Sequence, residues 1–279
     1  MRITETARVF ISLPFRTDGL EAEHPGCLKS FDARHINRFL SALEREIQST
    51  AEECDDLQVR EIVLGNGSAA HFTADDLTGM IRSVRNHFRV SQEVAIRLTM
   101  TPSGFDFYKL SAVKQMGNVS ICFEIPALTE DSLREGGYHC SAEKASDALN
   151  CCFQNGFRAF AVSLSARSLK TEEAESTLKT LLAVHPEEIS LQESASSELR
   201  QTAESMFSGA GWLRAENNRW YRERIPKQVR CAAQIGCGPN AVSVFDGLAV
   251  RTTSDFDFYC DHADDFEALA EHAQTENLA

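Results

Sequence analysis

The chain has 279 residues, 43% hydrophobic and 25% charged, which are the proportions of an ordinary soluble globular protein long enough to bury a substantial core. Its 28 Lys and Arg against 41 Asp and Glu give a formal net charge of -13. That charge argues against nucleic acid and anionic membrane as partners, since both are held chiefly through basic side chains. No apolar run approaches the roughly 20 residues of a membrane span, and the first apolar stretch, residues 9–13, is too short for a signal peptide. The nine cysteines follow no regular framework, so the expectation is a cytoplasmic protein with free thiols.

In chain order, strand-like runs rich in Val, Ile and Phe fall at residues 8–13, 59–65, 94–100, 118–125, 157–164 and 188–192. Amphipathic stretches separate them. Ile36, Phe39, Leu40, Leu43 and Ile47 keep the helical 3, 4, 7 spacing, as do Leu77, Met80, Ile81 and Val84. Thr73-Ala74-Asp75-Asp76 opens the second of these helices as a capping box, its hydroxyl placed to accept an orphan backbone N–H. Ala145, Ala148, Leu149, Cys152 and Phe153 repeat the spacing, with Gly156 as a stop, and Thr177, Leu178, Leu181 and Leu182 repeat it again.

Strand-then-helix units in succession predict an α/β fold with a parallel sheet and right-handed crossovers. Periodicity alone leaves an open doubly wound sheet and a partial barrel equally open. After about residue 194 the rhythm changes to a helix (196–207), a Trp- and Arg-rich segment and a Gly-rich turn. Residues 1–195 are therefore read as the main α/β unit and 196–279 as a C-terminal extension packed on it. In such folds the working loops lie at the carboxyl ends of the strands. The polar groups there are Arg16, Gly65, Asn66, Gly67, Ser68, Thr101, Glu124, Ser163 and Arg167.

Several segments in order resemble one family, the oxygen-independent coproporphyrinogen III oxidases and heme chaperones of the radical-SAM proteins. Val9-Phe10-Ile11-Ser12-Leu13-Pro14-Phe15 resembles the family's first strand, which ends in Ile-Pro-Phe. Ile62-Val63-Leu64-Gly65-Asn66-Gly67-Ser68 is similar to its second strand and Gly-Gly-Gly-Thr-Pro loop. His185-Pro186-Glu187-Glu188-Ile189-Ser190-Leu191 resembles its sixth strand, and Ile235-Gly236-Cys237-Gly238-Pro239-Asn240-Ala241 its Gly-x-Gly-x-x-Ala segment. The resemblance spans roughly residues 7–262 and implies a partial (β/α)6 barrel of the radical-SAM type.

The departures from that family carry the functional reading. Its chemistry rests on a C-x3-C-x2-C loop directly after the Pro-Phe, whose thiolates hold a 4Fe–4S cluster that binds S-adenosylmethionine. Here those positions are Arg16, Leu20 and Glu23, and the nearest cysteine is Cys27. The cofactor contacts that the resemblance would place at Thr99, Glu124-Ile125-Pro126, Ser163 and Ser165-Ala166-Arg167 also depart from the family pattern. The expectation is no 4Fe–4S cluster, no other metal, and no resident cofactor; S-adenosylmethionine and heme stay candidates that no residue supports.

Other constellations have plainer readings. Tyr259-Cys260-Asp261-His262 alternates potential ligands, but reads as an acidic turn opening the last helix. Adjacent Cys151 and Cys152 point about 100° apart on a helix, so Cys152 reads as apolar packing, and His139 as a surface or capping group. Gly236-x-Gly238 lacks a dinucleotide-loop context and reads as a tight turn. Residues 214–230 hold Arg214, Arg219, Arg222, Arg224, Lys227 and Arg230 with Trp212, Trp220 and Tyr221 nearby. That window is either an ion-paired face or a contact for an anionic ligand or a partner.

The reading is a non-catalytic, radical-SAM-like protein, a pseudoenzyme on a TIM-like barrel. It would bind a partner protein (an intact relative or a second copy), a tetrapyrrole or another small anionic ligand at the barrel mouth. The competing reading is an enzyme that reuses this pocket without a cluster, with S-adenosylmethionine and with Glu124 and Arg167 as the pair to test.

Overall fold

The computed structural model describes residues 5–16, 19, 28, 32–154, 160–164, 171–192, 195–225 and 231–271. Six strands run parallel in sequence order: β1 (Thr6–Ser12), β2 (Gln58–Gly65), β3 (Val90–Met100), β4 (Asn118–Ile125), β5 (Phe160–Leu164) and β6 (Glu188–Leu191). Between them lie α1 (Ala33–Glu53), α2 (Ala74–His87), α3 (Phe107–Lys114), α4 (Glu130–Glu135), α5 (Ala142–Gln154) and α6 (Thr171–Ala183). The expected strands and helices are thus found in order; residues 157–159 of the fifth expected strand and the expected stop at Gly156 lie outside the described residues.

Residues beyond 196 contribute more than a helix. After α7 (Ser197–Gly209) come β7 (Leu213–Ala215) and β8 (Arg219–Tyr221), a hairpin turned by Asn217 and Asn218 at positive φ, with β8 antiparallel to β6. At the other edge β9 (Ala233–Cys237) runs parallel to β1, followed by the antiparallel β10 (Val242–Phe245), β11 (Leu248–Thr252) and β12 (Ala270–Glu271). The two last helices are α8 (Phe256–His262) and α9 (Phe266–Leu269). One twelve-stranded sheet results, in the order β12-β11-β10-β9-β1-β2-β3-β4-β5-β6-β8-β7.

The strands have two unlike faces. Val94, Ile96, Leu98 and Met100 of β3 are fully buried, whereas Ala95, Arg97 and Thr99 between them are half-buried. A parallel strand covered on both faces would be apolar throughout, so this alternation marks one face against the helices and one facing an inner space. The helix-side core joins Val9, Ile11, Ile62 and Leu64 to Phe39, Leu43 and Ile47 of α1 and to Leu77, Ile81 and Val84 of α2. An ion pair joins Arg16, just beyond β1, to Glu124 at the end of β4. Three strand spacings separate those strands, about 14 Å in a flat sheet. The loop after β1 and the curl of the sheet close that distance. Among the described residues no helix is long and apolar enough to cross a membrane.

Candidate functional site

The carboxyl ends of the strands form a mouth in which polar groups bond to one another. Arg16 is wholly buried, and its guanidinium Nη2 donates to a carboxylate oxygen of Glu124, itself 8% exposed. The loop that carries Arg16 is held by its backbone: Arg16 N–H donates to the Leu28 carbonyl at 3.0 Å, and Ser68 N–H to the Phe15 carbonyl at 3.1 Å. Phe15 sits beneath, its ring 6.0 Å from that of Phe39, 5.7 Å from Phe72 and 5.9 Å from Phe256.

The loop after β2 is fitted to the same scaffold. Asn66 adopts φ 68° and turns its amide back, donating from Nδ2 to Ser12 Oγ at 2.9 Å; Ser12 Oγ in turn donates to the Pro239 carbonyl at 2.6 Å. A Cβ on Gly67 would stand 2.1 Å from the Leu13 carbonyl oxygen, so glycine there is required by the chain's own backbone. Ser68 Oγ accepts from Ala70 N–H at 3.2 Å and lies 3.3 Å from Thr101 Oγ1, which is 3.0 Å from Ser103 Oγ. Gly65 lies against the Phe10 ring and the Thr99 hydroxyl, and Ser163 stands in register beside Glu124. Of the nine residues expected at the mouth, eight gather along these strand ends; Arg167 lies outside the described residues. Glu124, offered with Arg167 as an acid–base pair to test, is bonded by Arg16 among the described residues.

Sequence reasoning missed a second polar cluster behind this one. Glu46 of α1 is buried, and one of its carboxylate oxygens accepts both the Tyr259 hydroxyl and Gly238 N–H, each at 2.7 Å. Burial pushes the Glu46 carboxyl up to about 7, against the opposing effect of the bonds from Tyr259 and Gly238. An acidic residue three positions after Leu43, on the apolar stripe of α1, was the available signal. Gly238 has φ 102°, and a Cβ there would lie 2.4 Å from the Ser12 carbonyl. Gly238 therefore serves the tight turn, as expected, whereas Gly236 lies within β9, where a Cβ would stand 2.7 Å from the Val242 backbone.

The remaining constellations resolve into packing and ion pairs. Tyr259, Cys260, Asp261 and His262 belong to α8 itself and not to a turn before it: Tyr259 bonds Glu46, Cys260 is buried, Asp261 pairs with Arg38 at 2.7 Å, and His262 stacks on Phe258. Cys152 is buried and its thiol is pushed up to about 12 by that burial, while His139 is exposed. In the Arg-rich window Arg214 pairs with Glu204 (3.2 Å), Arg219 with Glu188 (3.6 Å) and Arg222 with Glu223 (3.1 Å). Trp212 and Trp220 pack on Phe207 in the core. Lys227 and Arg230 lie outside the described residues. Among the described residues no three His, Cys, Asp or Glu side chains converge as a metal site would need.

No protein-family model matches the chain. The heme chaperone HemW of Haemophilus influenzae is 20% identical over 158 residues, which are 56% of this chain and 41% of the chaperone. The chain thus spans about two fifths of that relative's length. Coproporphyrinogen III oxidase (HemN) from Escherichia coli, a radical-SAM enzyme, superposes with a TM-score of 0.85 at 13% identity, over 95% of this chain and 71% of that one. The sheet described above is therefore the barrel of that enzyme's fold.

Proposed function

We propose that this chain, which stands by fold and sequence with the coproporphyrinogen oxidase and heme chaperone group of radical-SAM proteins, acts by binding and not by radical chemistry. Its ligand on this reading is a partner protein, or a tetrapyrrole or similar small molecule held at the barrel mouth.

The observation that carries this reading is Arg16. It directly follows Pro14-Phe15, where a cluster-binding relative would present its first thiolate, and it is a fully buried cation paired with Glu124. A guanidinium has no lone pair to offer iron, and its charge is already matched. A 4Fe–4S cluster in this fold supplies the electron that cleaves bound S-adenosylmethionine; the residues here do not suit it. The thiols elsewhere are poor donors too: burial pushes Cys122 up to about 12 and Cys260 to about 11, which keeps both protonated at neutral pH. Cys27 lies outside the described residues. The loop after β2 supports the same reading, since Asn66 and Gly67 are committed to Ser12 and Leu13.

Anaerobic reconstitution with iron and sulfide, followed by metal analysis, tests the proposal. The expected result is no stoichiometric iron; about four irons per chain, with the charge-transfer absorption of a cluster, overturns it. Titration with heme, followed by absorbance, and with S-adenosylmethionine, followed by calorimetry, separates the ligands. Saturable heme binding that weakens in Arg16→Gln/Glu124→Gln, which keeps the shapes and removes the charges, supports a tetrapyrrole at the mouth. Saturable binding of S-adenosylmethionine alone favours a cluster-independent enzyme.

A further inference from the structure

The inner face of the sheet continues below the mouth. Strand register sets Arg97 beside Ser120, Cys122 beside Ala161, Ala161 beside Glu188, and Glu188 beside Tyr221, a layer that crosses β3, β4, β5, β6 and β8. Glu188 begins β6 and Ala161 is the second residue of β5, so this layer lies toward the end of the barrel opposite Arg16. A cleft of about 410 Å³ opens over it, with residues 222–224 as the facing wall. That size lies within the range of sites for small organic ligands.

The cleft is lined by three arginines, Arg97, Arg222 and Arg224, and by three glutamates, Glu187, Glu188 and Glu223. Glu188 is engaged by Arg219 from the neighbouring strand, and Glu223 by Arg222. Arg97 has no carboxylate within ion-pair distance among the described residues, and Arg222 keeps a buried Nε with no hydrogen-bond partner. A guanidinium donor withdrawn from water without an acceptor is unfavourable, and an anion placed there relieves it with a charge-assisted bond. The apolar part of the lining is Ile121, Ala161, the Tyr221 ring and the thiol of Cys122, which burial keeps protonated; Ser120 adds a hydroxyl.

We propose that this cleft binds a small organic anion that sets a carboxylate or phosphate on Arg97 and Arg222 and lays an apolar, planar body against Tyr221. The site is separate from the mouth, and it stands or falls independently of whether the mouth holds a ligand or a cluster.

The full chain is titrated with 8-anilinonaphthalene-1-sulfonate, an anion on a planar apolar body, and the bound dye is then displaced with benzoate or with phenyl phosphate. One saturable, displaceable site is expected, and the better competitor names the anion as carboxylate or phosphate. Arg97→Gln and Arg222→Gln should each weaken displaceable binding about tenfold, the loss of one charge-assisted hydrogen bond. Ala161→Leu, which fills the cleft and leaves every charge in place, should remove it. Arg214→Gln, whose guanidinium meets Glu204 away from the cleft, should change nothing. Near-ultraviolet circular dichroism checks the fold of each variant; if the arginine variants do not fold, Ala161→Leu and the wild-type competition decide. Dye that neither competitor displaces, or affinity unmoved in folded Arg97→Gln and Ala161→Leu, overturns the proposal.

Discussion

The two ends of the barrel bury their arginines to different degrees. At the mouth, Arg16 is withdrawn from water and bound to Glu124, while hydrogen bonds join Asn66 to Ser12 and Ser68 to Thr101. At the far end, Arg97 and Arg222 border the cleft; Arg222 pairs with Glu223 on its rim, and Glu188 is taken by Arg219. Full burial with a partner fixes the Arg16–Glu124 pair itself as scaffold of the mouth, whereas Arg97 and the unbonded Nε of Arg222 leave the cleft with donors to offer. An arginine at a strand end is therefore not informative until its partner is known.

The strongest way to break this contrast is to remove one member of the mouth pair. Arg16→Ala leaves the Glu124 carboxylate buried without its counter-charge, and the expected cost is about 3–5 kcal/mol in denaturant unfolding. Arg16→Met with Glu124→Leu should recover most of that loss, because a buried pair is often replaceable by apolar groups of similar size. A loss below about 1 kcal/mol in the single variant, the range of exposed pairs, would mean that water reaches the pair and that the mouth is no more closed than the cleft.

Behind the mouth, Glu46 gives a pH-dependent version of the same test. Folded, it titrates at about 7 because burial disfavours its charged form; unfolded, it returns to its ordinary 4.5. Below that lower value it is protonated in both states and its contribution is intact. As pH rises toward 7 the unfolded chain gives up the proton first, so stability falls by roughly 3 kcal/mol across this window. Glu46→Gln keeps an oxygen to accept from Tyr259 and Gly238 and should remove that slope, making the variant more stable than the parent at pH 8. Parallel unfolding curves for the two proteins at pH 5 and pH 8 check it; equal slopes would place Glu46 in contact with water.

Gly67→Ala probes how closely the loop after β2 approaches the loop after β1. The new methyl would meet the Leu13 backbone, which cannot swing away as a side chain could, and overpacking of this kind costs about 1–3 kcal/mol. The loss should appear in the melting temperature without any change in dye binding at the far cleft.

Strands β1 to β5 were legible because each carries four or more apolar residues at strand length, β6 because Ile189 and Leu191 alternate with polar neighbours, and the helices because their stripes keep the 3, 4, 7 spacing. Strands β7 to β12 hold two to five residues each, too few for alternation to register beside Gly and Asn turns. The mouth residues could be named from strand ends, yet their pairing could not. Arg16 and Glu124 lie 108 positions apart, and only the curl of the sheet brings them together. The far cleft was hidden for the same reason: Arg97 sits mid-strand, where no loop rule points. Glu46 was visible as an acid on an apolar stripe, but its acceptor role needed Tyr259, which arrives from 213 positions away.

The smallest expected effect tests whether the mouth is rigid through local or long-range bonds. Thr73 caps α2 just beyond Phe72, whose ring lies against Phe15. Its hydroxyl accepts Asp76 N–H at 3.1 Å while the Asp76 carboxylate accepts Thr73 N–H at 2.9 Å. Thr73→Ala should cost about 1 kcal/mol, the usual value of an exposed cap, and leave heme titrations and dye displacement unchanged. The cap satisfies only the first turn of α2, whereas Phe72 is held by Phe15 and Phe39. If the variant instead loses several kcal/mol, or shifts ligand affinity at the mouth, then the loop after β2 depends on the start of α2, and the lattice of Ser68 and Thr101 is not self-supporting.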